Sequence, residues 1–266
     1  MSERIIRMQQ WFDTPAGTYL KSWEQAAFDE AVADIFGYHA LQLGLPELDT
    51  LRTNRMPHRW VGLQQGERAL ERRHHLEADS HALPFEAHSL DLVVLPHSLE
   101  LSADPHATLR EVERVLVPEG RVVISGLNPA SLWGLRQRRA HLYRRMGFGH
   151  MFLPEAGEFI GYRRLRDWLR LLNFEVEAGH FGCWRPALST QVWLDRFEWV
   201  DRLGAKWWPI FGAVYFIVAV KRVRGVKLMG QSWKRPATIA AAPMPLANRG
   251  HGSHRRGTQQ QENQET

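Results

Sequence analysis

Two runs of apolar residues near the middle of the chain have the pattern of strands that are buried on both faces. One opens at Asp91 and ends at Leu95, and the other covers residues 121–124. Continuous rather than alternating hydrophobicity is typical of parallel sheets with helices on both sides. Between the two runs, Asp104 and Pro105 start a helix, because an acceptor at the N-cap and a proline in the first turn are preferred there. Strand, helix and strand form a βαβ unit, so the sequence predicts an α/β fold with a parallel sheet.

Weaker patterns on both sides of this unit extend the predicted fold. Apolar residues predict further strands over residues 59–63, 174–177 and 214–220, and helical spacing is found over residues 18–35 and 162–172. The longest apolar stretch, residues 207–220, is about 14 residues long, whereas about 20 are needed to span a bilayer. We therefore interpret its second half as a final strand, with an interfacial membrane contact through Trp207 and Trp208 as the alternative.

Composition and charge divide the chain into a globular part and a tail. The 266 residues are 44% hydrophobic, which is enough to bury the core of one full-sized α/β domain. From residue 221 onward there are nine Lys or Arg and two Glu, which give this end of the chain a charge of +7. Since the whole chain has a net charge of +5, residues 1–220 carry about −2. The sequence predicts a helical cover over residues 1–35, an α/β domain over residues 36–225 and a disordered basic tail over residues 226–266.

Cysteine content and the amino terminus indicate the compartment. Cys183 is the single cysteine, so no intrachain disulfide and no cysteine-based metal site are expected. The first 20 residues lack the apolar run of a secretory signal. The thirteen histidines show no metal-ligand spacing, and we predict a cytoplasmic protein without a metal site.

The stretch from residue 78 to residue 125 carries a family resemblance. An acid, Asp79, precedes Leu83-Pro84-Phe85, the strand from Asp91 follows, and a Pro-Glu-Gly turn at residues 118–120 leads into the next strand. This order resembles the second half of class I S-adenosylmethionine-dependent methyltransferases of the type 11 group. The resemblance implies a Rossmann-like, doubly wound, mostly parallel seven-stranded sheet with an antiparallel last strand. It also implies S-adenosylmethionine as the cofactor, with the adenine beside Asp79.

The resemblance is weaker at the first strand. In the family this strand ends in an acid followed by a loop with three glycines, which approaches the methionine part of the cofactor. If Gly44 corresponds to the first glycine, then Gln42 replaces the acid, and Pro46 and Leu48 replace the other two glycines. Proline fixes φ near about −65° and lacks an N–H, so this loop must follow another path. At the end of the next strand, Gln64 or Gln65 stands where the family has an acid for the ribose.

The candidate site residues come from these positions and from the predicted carboxyl ends of the strands, where ligands of such sheets bind. His97 follows a core strand and is the candidate base or substrate contact, since histidine can accept a proton near neutral pH; a purely structural role is the alternative. Glu100 and Asp104 are interpreted as acceptors at helix starts. The residues predicted to bind the cofactor are Gly44, Gln64, Asp79, Ser80, Leu83 and Pro96, and those predicted to contact the substrate are Trp11, Tyr19, Asn128 and Trp133.

A segment rich in arginine lies between residues 128 and 172. Arg136, Arg138 and Arg139 belong to it, with further arginines up to Arg170, and residues 148–153 are interpreted as a mobile lid. Arginine side chains bind phosphate or carboxylate groups, and a solvated helix face is the alternative. Nucleic acid is not favoured as a partner, because the basic residues are not interleaved with aromatic residues as in known RNA modules.

Taken as a whole, the sequence predicts an enzyme: a methyltransferase that uses S-adenosylmethionine on a small-molecule acceptor. Methyl transfer needs mainly positioning of the acceptor, so little acid–base machinery is expected. The altered glycine loop leaves one alternative, a binding or scaffold protein that retains the fold without the cofactor. The oligomeric state and the acceptor are not determined by the sequence.

Overall fold

The computed structural model describes residues 8–63, 74–145, 152–154, 159–188 and 190–223. Its centre is one seven-stranded sheet with the order β3-β2-β1-β4-β5-β7-β6. The strands are β1 (His39–Leu43), β2 (His58–Leu63), β3 (His74–Glu77), β4 (Leu90–Pro96), β5 (Leu116–Leu127), β6 (Phe174–Gly182) and β7 (Val214–Lys221). Strands β1 to β5 are parallel to one another, and β7 is antiparallel to both β5 and β6. The predicted fold class is therefore confirmed.

Seven helices accompany the sheet in the described part of the chain. They are α1 (Pro15–Ala33), α2 (Ser98–Leu101), α3 (Pro105–Val115), α4 (Leu132–Arg145), α5 (Tyr162–Leu171), α6 (Gln191–Arg196) and α7 (Glu198–Trp207). A helical turn at residues 8–12 precedes α1, and a 3₁₀ turn, Pro209–Phe211, precedes β7. None of the helices within the described ranges is long and apolar enough to cross a membrane.

Local sequence explains how the helices begin. The side chain of Thr14 caps α1 by accepting a hydrogen bond from the N–H of Gly17, and Pro15 takes the first helical position. Asp104 caps α3 by accepting from the N–H groups of His106 and Ala107, both at 3.0 Å. This confirms the predicted helix-start role of Asp104. Helix α1 begins three residues earlier than predicted, because the Thr14 cap and not the first apolar residue sets its start.

The two strands of the βαβ unit are longer than their apolar runs. Strand β5 starts at Leu116, before the Pro-Glu-Gly turn, and the pairing with β4 skips residues 117–120, which bulge from the ladder. Glu119 in this bulge has a positive φ of 64°. The predicted turn is therefore present, but it interrupts a strand and does not precede one.

The core has one layer on each face of the sheet and a third apolar cluster beyond the carboxyl ends of the strands. Leu41, Val93 and Ile124 belong to the layer that α3 and α5 cover, and Ala40, Val94 and Val123 belong to the layer that α1 covers. The third cluster consists of Met8, Trp11, Phe12, Ala16, Leu20, Leu45, Leu48, Leu101, Leu127, Trp133, Leu153, Cys183, Leu194, Ala213 and Val214. This carboxyl-edge cluster occupies the side on which ligands of parallel sheets bind.

Two predictions fall outside the described residues. The basic tail was predicted from residue 226, and the structure describes the chain up to residue 223. The lid was predicted over residues 148–153, of which only Phe152 and Leu153 are described. Both of these residues pack in the carboxyl-edge cluster or against it.

Candidate ligand site at the carboxyl edge of the sheet

The loop that follows β1 is built around the side chain of Gln42. Gly44 and Leu45 both have positive φ angles, 72° and 44°, so the chain turns sharply where the strand ends. The Nε2 of the buried Gln42 lies within 3.1 Å of the carbonyl oxygens of Gly44, Leu45 and Leu48. Its Oε1 accepts from the Thr50 hydroxyl at 2.7 Å. The glutamine at the position of the family's acid therefore holds the loop together from inside.

Most backbone donors of this loop are already engaged within the protein. The N–H of Gly44 donates to the carbonyl of Gly62 at 2.8 Å, and the N–H of Leu48 donates to Leu45 at 3.1 Å. Asp49 donates its N–H to Gln25 of α1, and Pro46 has no N–H. The side chains of Leu45 and Leu48 are buried in the carboxyl-edge cluster. A loop of this kind is shaped by apolar packing and presents few free N–H groups to a ligand.

The turn that follows β3 is open and polar. The side chain of Asp79 is 63% exposed, and its Oδ1 accepts the N–H of His81 at 3.0 Å. Ser80 and Leu83 are buried beneath the turn, and the N–H of Leu83 donates to Glu111 of α3 at 2.8 Å. The turn thus combines an exposed carboxylate with a small polar and an apolar side chain below it.

Three hydroxyl groups and one imidazole tie this turn to the segment between α2 and α3. The Nε2 of His81 lies 3.0 Å from the Ser102 hydroxyl, which lies 2.9 Å from that of Thr108. The Thr108 hydroxyl in turn donates to Ser80 at 3.4 Å. Ser102 and Thr108 were not predicted as site residues, because their serine and threonine types are common at helix starts and carry no signal by themselves.

His97 lies at the end of β4, but it is fully buried. Its Nε2 is 2.9 Å from Oε1 of Glu24 in α1, and its Nδ1 is 2.9 Å from Oε2 of Glu100 in α2. The second oxygen of Glu100 accepts the backbone N–H of Leu127. Burial opposes the charged imidazole, but the two adjacent carboxylates outweigh it and raise the pKa of His97 to about 10. Burial likewise raises the pKa of Glu100.

The buried Glu24–His97–Glu100 triad changes how the site is interpreted. His97 takes a left-handed conformation with φ of 51°, which is uncommon outside glycine. The Phe12 ring covers it, with the two ring centroids 6.1 Å apart. A protonated imidazole without solvent contact is poorly suited to accept a proton, so the catalytic role of His97 stays a prediction that its surroundings do not favour. Glu100 was interpreted as a helix-start acceptor, and it instead links His97 to β5.

Glu24 was not singled out from the sequence, although a signal was present. Leu20, Glu24, Phe28 and Val32 repeat every four residues along α1, and all four are buried. A carboxylate in the middle of an apolar stripe must find a charged or hydrogen-bonding partner. The sequence pattern thus indicated a buried partner for Glu24, but it did not indicate that His97 would be that partner.

Three of the four predicted substrate residues meet in one aromatic group. The ring centroids of Trp11 and Trp133 are 6.0 Å apart, and those of Tyr19 and Trp133 are 6.3 Å apart. Both indoles are buried, and their N–H groups donate to the carbonyl groups of Phe152 and Arg185 at 2.8 Å. The group forms a rigid aromatic wall at the carboxyl edge.

The fourth residue, Asn128, holds a loop. Its Nδ2 donates to the carbonyl groups of Ile210 and Gly212 at 2.8 and 2.9 Å, and its Oδ1 accepts the N–H of Ala130. These contacts join the end of β5 to the 3₁₀ turn before β7.

Among the predicted cofactor residues, Pro96 is the buried last residue of β4, paired with Ser125, and Gln64 lies outside the described residues.

Tyr19 connects the amino-terminal helix to α7. Its hydroxyl donates to Oδ1 of Asp201 at 2.5 Å, and the Arg185 guanidinium lies 4.4 Å from the centre of its ring. Burial and the nearby Cys183 and Asp201 raise the pKa of Tyr19 far above its ordinary value. Asp201 also pairs with the Nε of Arg185 at 2.8 Å. These contacts fix the segment between β6 and β7 on the same edge as α1.

Comparison with known proteins agrees with the class of fold that these elements define. A family model described as "Methyltransferase domain" matches residues 59–124, from β2 through most of β5. A chain from a solved complex of the Haloferax volcanii Trm112 methyltransferase activator superimposes with a TM-score of 0.53 at 17% identity, covering 79% of this chain and 94% of that one. The chain belongs to the class I S-adenosylmethionine-dependent methyltransferase family.

Among named proteins, the chain is similar to the uncharacterized protein YafS of Escherichia coli. The two are 31% identical over 175 residues, which are 65% of this chain and 68% of YafS. A shorter match joins it to the demethylmenaquinone methyltransferase of Chlamydia pneumoniae, at 39% identity over 54 residues, or 20% of this chain and 24% of that protein. The shorter match spans about a quarter of that enzyme.

S-adenosylmethionine is the cofactor of this family. The turn after β3 suits its adenine end, because Asp79 offers an exposed acceptor. The loop after β1 departs from the family pattern, since its N–H groups at Gly44, Leu48 and Asp49 are engaged within the protein. The fit therefore rests on the β3 turn.

Proposed function

We propose that this protein is a methyltransferase that transfers the methyl group of S-adenosylmethionine to a small acceptor at the carboxyl edge of the sheet. One observation carries the proposal: the exposed carboxylate of Asp79 on a turn that α3 holds in place through Glu111 and Thr108. A carboxylate held in this way is preorganised to accept a hydrogen bond from an amino group, such as that of adenine.

The residues of the chain have separate parts in this proposal. Asp79, Ser80 and Leu83 hold the adenine end, and Gly44 and Pro96 border the cofactor at the ends of β1 and β4. S-adenosylmethionine supplies an electrophilic methyl group when it is bound. The aromatic group of Trp11, Tyr19 and Trp133 positions an apolar acceptor and excludes water from it.

No acid–base step is assigned to His97 in this proposal. Its two nitrogens face Glu24 and Glu100, and it has no solvent-accessible surface. It acts as a positioning residue, since the triad fixes the end of β4 against α1 and β5. A nucleophilic acceptor that needs no deprotonation, or loses its proton to water, is consistent with such a site.

The proposal is tested by calorimetric titration of the full chain with S-adenosylmethionine and S-adenosylhomocysteine. We expect binding in the micromolar range, weakened about tenfold or more in Asp79→Ala, because a hydrogen bond to a charged group is lost. Glu86→Ala, which removes another exposed carboxylate, is the matched control and should bind as the wild type does.

Absence of binding at millimolar ligand would contradict the proposal. It would favour the alternative, a scaffold protein that keeps the fold without the cofactor. The internally bonded loop after β1 is the feature that supports this alternative.

A further inference from the structure

Two segments beyond the sheet meet at its carboxyl edge. Leu127 at the end of β5 and Gly182 at the end of β6 both pair with Val214 at the start of β7, so the three strand ends are level. Helix α4 follows β5, and helices α6 and α7 lie between β6 and β7. The segments contact each other where Trp133 donates to the carbonyl of Arg185 at 2.8 Å. They therefore form one neighbourhood on the side of the candidate site.

Helix α4 has a defined inner face and an apolar outer face. Trp133 and Gln137 are buried, and Gln137 exchanges hydrogen bonds with the backbone of Leu153. Leu132, Leu135 and Leu142 point away from this side and are 55, 47 and 58% exposed. Large aliphatic side chains concentrated on the outer face of one helix mark an interaction surface.

Helix α7 repeats this arrangement with tryptophan. Its inner face is fixed by Asp201, which pairs with Arg185, and by Gly204, where an added Cβ would lie 2.3 Å from the Trp184 ring. On the outer face Trp199 and Trp207 are 55 and 67% exposed, and Trp208 follows directly. We call the outer faces of α4 and α7 together the edge surface.

The charge of helix α4 favours one class of partner for the edge surface. The sequence of α4, LWGLRQRRAHLYRR, contains five arginines and no acidic residue. Arg138 and Arg139 are exposed among the exposed leucines. Cationic side chains beside leucine and tryptophan are typical of helices that lie in the interface of anionic membranes. Tryptophan is enriched at the level of the lipid headgroups because its ring is apolar and its N–H is polar.

Nucleic acid fits this surface less well. Bases stack on aromatic rings, but the exposed tryptophans of the edge surface lie on or just after α7, whereas Arg138 and Arg139 lie on α4, whose exposed apolar residues are three leucines and Tyr143. Acyl chains, by contrast, accept leucine side chains readily.

We propose that the edge surface binds the interface of a membrane that contains anionic phospholipid. Arg138 and Arg139 of α4 contact lipid phosphates, and the exposed leucines of α4 and tryptophans of α7 enter the headgroup region. The membrane then faces the edge of the sheet that carries Trp11 and Trp133. An apolar acceptor of the proposed methyl transfer would reach the site from the lipid, and this consequence alone rests on the proposed function.

Co-sedimentation of the full chain with vesicles tests the proposal without cofactor or acceptor. We expect binding to phosphatidylcholine vesicles that contain phosphatidylglycerol, weaker binding to phosphatidylcholine alone, and a loss of binding as salt is added. The double variant R138Q/R139Q should bind about 30-fold more weakly, at about 1 kcal/mol for each arginine near the surface. The variant W199S/W207S should bind vesicles at least about tenfold more weakly than the wild type, since two apolar rings no longer insert.

The matched control is F36S/Y38S. Phe36 and Tyr38 are both 71% exposed, but they precede β1 at the opposite edge of the sheet. This variant should bind vesicles as the wild type does, and circular dichroism should show all variants to be folded. Equal weakening in the control would overturn the proposal, as would a wild type that does not bind vesicles.

Two other results would replace the membrane by another partner. Binding of single-stranded RNA without vesicle binding would assign the edge surface to nucleic acid. A stable dimer that W199S/W207S converts to monomer, again without vesicle binding, would assign it to a second copy of the chain. Cofactor titration is independent of all these measurements, so failure of this proposal leaves the proposed methyl transfer standing.

Discussion

The loop after β1 and the turn after β3 lie on the same edge of one sheet, and their environments are opposite. Around the β1 loop, Gln42 and the Glu24–His97–Glu100 triad are buried, Gln42 is hydrogen-bonded within the loop, and the charges of the triad are paired with one another. The β3 turn carries Asp79 with most of its side chain in solvent. We call these the inner side and the outer side of the edge.

The contrast shows that polar residues at a predicted ligand site can serve stability or binding, and that burial separates the two. Polar groups of the inner side replace water with protein partners, so their removal leaves unpaired buried groups. The outer side has an exposed carboxylate that contacts the neighbouring His81, and its removal should cost the folded state little. Substitutions on the inner side should therefore change the free energy of unfolding, and those on the outer side should change ligand affinity.

The largest loss of unfolding free energy is expected from Glu24→Ala. This change removes one carboxylate that lies 2.9 Å from the buried His97 ring and leaves the imidazolium with Glu100 alone. Breaking a buried ion pair by removing one partner costs about 3–5 kcal/mol. Urea unfolding followed by circular dichroism measures this loss. Glu30→Ala in the same helix removes an exposed carboxylate and should change the unfolding free energy by less than about 0.5 kcal/mol.

The second-largest loss of unfolding free energy is expected from Gln42→Leu. This side chain is replaced by one of similar size that cannot donate to Gly44, Leu45 and Leu48, so their carbonyl oxygens lose a partner. Leaving buried polar groups unpaired costs about 1–3 kcal/mol each, and partial relaxation of the loop should limit the total to about 3 kcal/mol.

Gln42→Glu sharpens this prediction. It restores the acid of the family pattern, but a carboxylate has no N–H for the three carbonyl groups and would be buried without a cation. We expect this variant to unfold at lower urea than Gln42→Leu. A Gln42→Glu protein as stable as the wild type would show that the loop is not held by donation from this side chain. Gln25→Leu, which removes the half-buried contacts with Asp49, is the control and should cost about 1 kcal/mol.

The free energy of unfolding should depend on pH in the way that the ion pairs of the Glu24–His97–Glu100 triad require. The pKa of His97 is raised from 6.5 to about 10 in the folded state, so its stabilising contribution is complete below pH 6.5 and is lost as the pH rises through 10. Between pH 6.5 and about pH 8.5 the unfolding free energy should fall by about 2 kcal/mol relative to His97→Gln. The NMR signals of the His97 ring should stay those of an imidazolium throughout this range. A ring that loses its proton near pH 6.5 would contradict the triad.

The smallest effect on stability is expected from Asp79→Ala on the outer side. The Oδ1 of the exposed carboxylate accepts the backbone N–H of His81 at 3.0 Å and lies 2.9 Å from Nδ1 of the same residue. Loss of these exposed contacts should change the unfolding free energy by less than about 1 kcal/mol. Thermal unfolding without ligand measures this change. If the variant is strongly destabilised, weaker cofactor binding by it could no longer be assigned to a lost contact, and the distinction between the two sides would fail.

The sequence alone determined most of the fold. The apolar runs at residues 91–95 and 121–124 lie within β4 and β5, and the Asp104 cap starts α3 as predicted. These features are local, because a strand buried on both faces needs an unbroken apolar run and a helix needs an acceptor at its start. Strand β3 had no prediction of its own, since His74–Glu77 is short and its pattern is partly exposed.

Only the tertiary structure decided which site residues are accessible. His97 and Asp79 are both polar residues at the ends of strands, and the sequence does not separate them. Glu24 reaches His97 from a helix that is distant in sequence, and Trp11 and Trp133 meet across more than half of the described chain. Burial and charge pairing depend on which elements pack together, and this is a property of the whole fold and not of a local run of residues.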